Sequence, residues 1–306
     1  MIDIHVHNIK QAPSKLFASR FEIDLKHLNP LIHELADHDT IIDGIEFIRN
    51  LFVAKDTDIE PILELYCNSN EYCFRDIKTQ LVKNTGVIQV IDYGENLVKY
   101  KGQLADNLAL AKKNHLKIFM GIDIGRTLAE IYDLLNNYLM FFDGIKLYPA
   151  ISASMHGLEA VVQRCSKLQL PMLVHCSDGG IGKFKENNDP RKWNNVLYKY
   201  PNTVVCFGHG GGNNTQYQRT IAFYALEYEN IYIDTAFHDD AIFETKSYFN
   251  DLRERIESNI FVMFGSDYPL HSIYYTYPEL IDIYRSNLEQ WQLDLIFNTH
   301  PLQFLL

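Results

Sequence analysis

A repeated alternation of short apolar runs and longer helix-like segments constrains this chain more than any other feature. Eight apolar runs recur along its 306 residues: Ile2–His7, Gly86–Tyr93, Lys117–Ile124, Phe142–Tyr148, Met172–Cys176, Thr203–His209, Ile231–Phe237 and Phe261–Asp267. Each is apolar throughout rather than alternating, as expected of parallel strands covered on both faces. Helix-like segments fill the later gaps, at Leu97–Asn114, Leu128–Leu139, Leu158–Leu168, Trp193–Tyr198, Gln216–Tyr228 and Ile242–Ile256. From Gly86 onward the runs start about 30 residues apart, which fits strand–helix units. Eight such units favour an α/β chain, a (β/α)8 TIM barrel, over an open doubly wound sheet. A single domain over residues 1–306 is expected.

The first gap is the exception. Residues 8–85 exceed what one helix requires and hold helix-like pieces at Leu31–Asp37, Asp43–Phe52, Ile59–Tyr66 and Tyr72–Val82. This segment reads as a helical insertion over the barrel mouth together with the first barrel helix. Trp291–Leu306 reads as a closing helix.

Composition narrows the partners. A hydrophobic content of 47% supplies a large core, and a net charge of −11 argues against a nucleic-acid partner, which needs a basic face. No run reaches the roughly 18 apolar residues of a membrane-spanning helix, so no membrane partner is expected. The five cysteines are odd in number and widely separated, which suggests free thiols in a reducing compartment. Met1 leads straight into the first apolar run, without the basic stretch and apolar core of a secretory signal. A cytoplasmic location is therefore expected. Size and acidity are compatible with a monomer or a homo-oligomer.

Barrel enzymes carry their chemistry at the C-terminal ends of their strands. The first run ends in His5-Val6-His7, and residues two apart on a strand share a face. Imidazole is the commonest metal-binding side chain, but a chain with twelve histidines makes such pairs by chance. Support comes from the other run ends. The fourth carries Lys146, the fifth His175, the sixth His209 within Phe207-Gly208-His209-Gly210-Gly211-Gly212, and the eighth Asp267. Chance is a poor account of that set, and a metal centre is the better one. Zinc takes neutral imidazole nitrogen and carboxylate oxygen, and lowers the pKa of a bound water to about 7. Asp267 is the run-end carboxylate read as able both to touch a metal and to take a proton from that water. The glycines around His209 allow tight turning, and no Lys-Ser/Thr follows them as in a phosphate-binding loop.

These motifs resemble the amidohydrolase superfamily, in particular its amidohydrolase 2 branch. The matching stretches are Asp3-Ile4-His5-Val6-His7, Gly144-Ile145-Lys146-Leu147-Tyr148-Pro149, Val174-His175, Phe207-Gly208-His209-Gly210-Gly211 and Phe264-Gly265-Ser266-Asp267-Tyr268-Pro269, in the family's order. The ending Asn298–Leu305 also looks like the family's terminal helix. The resemblance implies a metal-dependent barrel enzyme, usually a hydrolase and in some members a non-oxidative decarboxylase. It implies His5, His7, His175 and Asp267 as ligands of one divalent metal, most often zinc. It implies His209 as the residue that polarises substrate or acts as acid or base. Lys146 has three readings: a carboxylated bridge that, with His175 and His209, holds a second ion; a substrate contact; or a charge balancing nearby carboxylates. One ion is favoured. The long segment after the first run and the loop Ser177–Asp189 match no branch.

Around this set, Arg126 reads as a clamp for a substrate carboxylate or as a solvated arginine, and Tyr148, Tyr93 and His238 as substrate contacts at strand ends. His27, His33 and His38 read as surface or helix residues, and Asp3 and Asp143 as structural or orienting carboxylates. The expected function is a hydrolase whose metal-bound hydroxide attacks the carbonyl of an amide, lactone or ester in a small, carboxylate-bearing substrate. The alternative is decarboxylation of an aromatic or enol acid at the same site. A non-catalytic binding barrel is a minor alternative, disfavoured because none of the six site positions is eroded. The loops carry no signature of a particular substrate.

Overall fold

All eight apolar runs form parallel strands. In the computed structural model, residues 1–7, 85–178, 182–236, 246–258, 260–267 and 277–306 are described. The strands are β1 (Ile2–His7), β2 (Thr85–Gln89), β3 (Lys117–Gly121), β4 (Gly144–Leu147), β5 (Met172–His175), β6 (Val205–Gly208), β7 (Ile231–Asp234) and β8 (Phe261–Met263). They pair in sequence order from β1 to β8. Two backbone hydrogen bonds then join the ends of the sheet, Ile4 N–H to Phe264 O at 3.1 Å and Asp267 N–H to His5 O at 2.8 Å. The expected barrel is therefore present and nearly closed. The helical insertion expected over residues 8–85 lies almost wholly outside the described residues.

Helices follow the strands: α1 (Leu97–Asn114), α2 (Leu128–Asn137), α3 (Leu158–Leu168), α4 (Asn194–Lys199), α5 (Thr215–Glu227), α6 (Lys246–Glu257) and α7 (Tyr277–Asn287). Local chemistry sets several of their starts. Asn96 accepts a hydrogen bond from Val98 N–H at the head of α1, Thr127 and Glu130 form a reciprocal capping box on α2, and Asn214 caps α5. The closing segment is helical, but in three pieces: α8 (Gln290–Asp294), a π-helical turn (Leu295–Thr299) and α9 (His300–Phe304). The π turn has a use, since Ile296 O accepts from Phe264 N–H at 2.9 Å and so fastens this segment to the end of β8.

Because side chains alternate along a strand, each strand feeds two cores. Ile88, Met120, Ile145, Val174, Phe207 and Ile233 pack outward with the helices. Val87, Phe119, Leu173, Cys206, Tyr232 and Met263 pack inward with Ile2 and Ile4. Phe304 plugs the lower end of this interior, its ring 5.1 Å from that of Tyr232 and 6.1 Å from that of Phe119. Phe304→Ala is expected to cost about 3–5 kcal/mol of stability, the usual loss for a buried phenylalanine, as read by the urea midpoint. The inward positions one level higher are polar: Gln89, Lys146, His175 and Asp234. That change of character along each strand separates the packed base from the chemical end.

Strand β1 would not serve both levels if it were regular. Ile4 packs with the interior cluster, yet His5 also points inward. The register between β1 and β2 slips between Asp3 and Val6, and this bulge turns His5 and His7 to the face that Ile2 and Ile4 occupied below. Gln89 Nε2 donates to the Ile4 carbonyl at the bulge, at 2.7 Å.

Candidate metal centre

His5 and His7 leave the upper end of β1, and Asp267 follows β8, its neighbour across the barrel closure. Their ligand atoms lie within 4.8 Å of one another. His7 Nε2 is 2.8 Å from Asp267 Oδ1, and His5 Nε2 is 3.8 Å from the same oxygen. All three side chains are buried. Despite the short contact, Asp267 Oδ1 and His7 Nδ1 have no hydrogen-bond partner among the described residues. A buried carboxylate oxygen without a donor is costly unless a cation faces it. Two imidazoles and a carboxylate are the donors that divalent ions such as zinc take. The arrangement therefore fits a divalent metal at His5, His7 and Asp267. Burial alone would raise the Asp267 carboxyl's pKa, but His7, His5 and His209 hold it well below the usual carboxylate range.

The backbone is bent to make this set. His209 and Asp267 both adopt left-handed conformations, with φ of 64° and 58°, which side chains other than glycine's rarely take. Gly210, Gly211 and Gly212 continue with positive φ, so the glycine run performs the tight turn expected of it.

Behind the three residues lies a second carboxylate, Asp234, at the end of β7. Its Oδ2 is 2.8 Å from His5 Nδ1, and its Oδ1 accepts from the backbone N–H of His209 at 2.7 Å and of Ala236 at 3.0 Å. Sequence reasoning treated Asp267 as the run-end carboxylate and passed over Asp234. The available signal was position: Asp234 ends its strand just as His175 ends β5. Gly265 permits the close approach, since a Cβ there would sit 2.8 Å from His5 Cβ.

Lys146 reaches the same cluster from β4. Its Nζ is 2.9 Å from His5 Nε2. Burial lowers its pKa to about 8 against the opposing pull of Asp234 and Asp267. His209 completes the core of the site, its ring centroid 5.1 Å from that of His5. His209 Nδ1 is 2.9 Å from Ala236 O, and its Nε2 is 2.9 Å from His175 Nδ1. His175 lies outside the three-residue group. Its Nε2 is 3.1 Å from Ser177 Oγ, and its ring stacks on Tyr148 with centroids 4.1 Å apart. The structure thus draws His5, His7 and Asp267 together, sets Lys146 and His209 against them, and places His175 and Tyr148 one ring farther out.

Arg126 stands apart. Its Nε and one terminal nitrogen donate to both oxygens of Asp92, at 2.7 and 2.6 Å, and that nitrogen also donates to Glu95 O at 2.7 Å. The side chain is 5% exposed. The expected substrate clamp is a buried ion pair that ties the loop after β2 to the loop after β3. Removing one partner of such a pair strands a buried charge. Arg126→Ala is expected to cost about 3–5 kcal/mol in denaturant unfolding while leaving metal content unchanged. His238 lies outside the described residues, as do His27, His33 and His38. Asp143 accepts from Ile118 N–H and Lys117, and Asp3 from the backbone N–H of His5 and Ser266, so both hold backbone as expected. The three described cysteines, Cys165, Cys176 and Cys206, are free and buried. Among the described residues no helix is long and apolar enough to cross a membrane.

The sequence profile of the amidohydrolase 2 family, described as amidohydrolase, matches residues 99–298. The chain belongs to this family. The match accords with the resemblance drawn from the strand-end motifs. A solved amidohydrolase from Burkholderia multivorans with bound zinc superposes with a TM-score of 0.57 at 10% identity, covering 99% of this chain and 98% of its own. A dihydroorotase from Campylobacter jejuni gives 0.49 at 16% identity, covering 99% and 82%. No curated protein matches the sequence. Family and fold support an amidohydrolase enzyme built on a TIM barrel, with a small molecule as its substrate.

Proposed function

We propose that the chain is a metal-dependent hydrolase that cleaves the carbonyl–heteroatom bond of a small amide, lactone or ester. The observation that carries this reading is the buried His5–His7–Asp267 group, with its undonated carboxylate oxygen, at the C-terminal ends of barrel strands. One zinc ion would be held by His5, His7 and Asp267, with His175 as the further candidate ligand. When bound, the ion supplies an electrophile for the substrate carbonyl and makes a water acidic enough to attack near neutral pH.

The chain's residues do the rest. Asp267 takes the proton of the attacking water and returns it to the leaving group. His209 turns Nε2 inward because its Nδ1 faces the Ala236 carbonyl, and that nitrogen, now 2.9 Å from His175 Nδ1, is the one that would accept and donate a proton beside the reacting carbonyl once His175 releases it. The Lys146 ammonium sits where it stabilises negative charge developing on the carbonyl oxygen. The stacked Tyr148–His175 pair forms one wall of the substrate space. Arg126 is left out because Asp92 takes up its guanidinium, and the expected substrate carboxylate loses its motivation with it.

Metal analysis of protein purified without chelator should find about one equivalent, and His5→Ala should lose it. A panel of lactones, esters, amides and aromatic acids, scored for acid formation and CO₂ release, then decides the chemistry. Metal-free protein unaffected by His5→Ala overturns the proposal, and CO₂ release without hydrolysis replaces it with decarboxylation.

A further inference from the structure

We propose that Asp234 is a positioning residue that sets the tautomer of two histidines at once, His5 directly and His209 through Ala236. The inference rests on the proposed metal-dependent function only in its consequence for metal binding.

An ionised carboxylate only accepts hydrogen bonds, so His5 Nδ1, 2.8 Å from Asp234 Oδ2, must carry the hydrogen. The other side of the ring agrees. Lys146 Nζ, 2.9 Å from His5 Nε2, is a donor as an ammonium, so Nε2 is the accepting nitrogen. The second oxygen of Asp234 works through backbone. Oδ1 accepts from Ala236 N–H at 3.0 Å and from His209 N–H at 2.7 Å. These bonds anchor Ala236 by its N–H, and the carbonyl oxygen of the same residue, Ala236 O, lies 2.9 Å from His209 Nδ1. A carbonyl also only accepts, so His209 too carries its hydrogen on Nδ1. The far side of the second ring is compatible, since His209 Nε2 faces His175 Nδ1 at 2.9 Å, a contact met by a hydrogen on His175. The same Oδ1 bond holds His209 in its left-handed conformation. Cys206 Sγ, 3.9 Å from Oδ2, is a further, weak donor to the carboxylate.

The assignment makes Asp234→Asn an informative variant. An asparagine offers one accepting oxygen and one donating amide. Two backbone N–H groups require the oxygen at the Oδ1 position, which turns the amide nitrogen toward His5 Nδ1. Two donors then face each other unless His5 moves its hydrogen to Nε2, where Lys146 Nζ meets it as a neutral, accepting amine. In that tautomer His5 has no lone pair to give a metal, whereas His209, still tied to Ala236 O, is unchanged.

The test reads ring-nitrogen chemical shifts of His5 and His209 by NMR in metal-free protein, and zinc affinity by competition with a chromogenic chelator. In the wild type both histidines should be Nδ1–H. In Asp234→Asn, His5 should switch to Nε2–H with His209 unmoved, and zinc affinity should fall about 10–100-fold, the usual effect of losing an orienting partner. A purely structural role predicts no selective switch, so His5 remaining Nδ1–H in the variant overturns the proposal. So does wild-type His5 in the Nε2–H form, which decides the matter even if the variant does not fold. Wild-type protein that shows the expected tautomers but binds no zinc counts against the proposed function instead, and the two failures are therefore separable.

Discussion

Asp267→Asn should reduce kcat/KM by about 10²–10⁴-fold on the substrate that the panel identifies, the range typical of losing a positioned proton-transfer group. The substitution keeps the shape and removes both the proton-accepting capacity of the carboxylate and the charge on Oδ1. That oxygen is 2.8 Å from His7 Nε2 and 3.8 Å from His5 Nε2, so the variant should also hold zinc more weakly. Initial rates at saturating zinc separate the two losses. Activity restored by excess zinc assigns Asp267 to metal binding alone. Activity that stays low with a full complement of metal assigns it the proton as well. Wild-type rates without added metal would remove Asp267 from the chemistry.

Lys146→Met should have the next largest effect, and it should differ between metal-free and metal-loaded protein. Lys146 is buried, and Asp234 and Asp267 pull against the effect of that burial on its amine. Stripped of metal, the site sets this ammonium against two buried carboxylates. Removing it leaves their charge uncompensated, which costs about 3–5 kcal/mol when one member of a buried pair is lost. A bound divalent cation replaces much of that compensation. The variant should therefore lower Tm more in chelator-treated protein than in zinc-loaded protein, by calorimetry on both. It should also keep about one equivalent of zinc if the site holds a single ion. Loss of metal below that level would favour the bridging lysine and a second ion.

The barrel was legible because its signal is redundant. Strand β1, helix α1 and helix α3 coincide with the expected ranges. For the two helices, buried residues recur at helical spacing and the last residue gives way to a left-handed cap, at His115 and Gln169. Several strands are shorter than the apolar runs that announced them. Val90, Ile122, Ile124 and Phe264 lie past the strand ends, yet all four pack in the outer core. Apolarity reports burial and not strand length, so the runs overshoot. Helix α7 went unannounced although Tyr277, Leu280, Ile281 and Tyr284 are buried along it. Pro278 looks like a breaker in sequence, but in a first turn its missing N–H has no partner to lose.

The site was legible to the extent that its chemistry sits in the residue type. The strand-end histidines and Asp267 announced themselves. Arg126 and Asp234 did not, because their roles depend on which neighbour arrives from another strand. An arginine after β3 looks the same whether it faces substrate or Asp92. Asp234 looks like an ordinary polar residue until His5 is seen beside it. The bulge in β1 likewise has no marker in Asp3-Ile4-His5-Val6, although it decides which way the histidines point.

The closure of the barrel gives the metal group a second meaning. Sequence neighbours make every other strand pairing, but β1 meets β8 through contacts such as Asp3 with Ser266, 263 positions apart. Joining such distant segments is entropically expensive and tends to come late in folding. His5 and His7 lie on one side of this seam and Asp267 on the other. An ion held by all three would work as a clasp, linking loss of the metal to parting of the barrel wall at its longest-range joint.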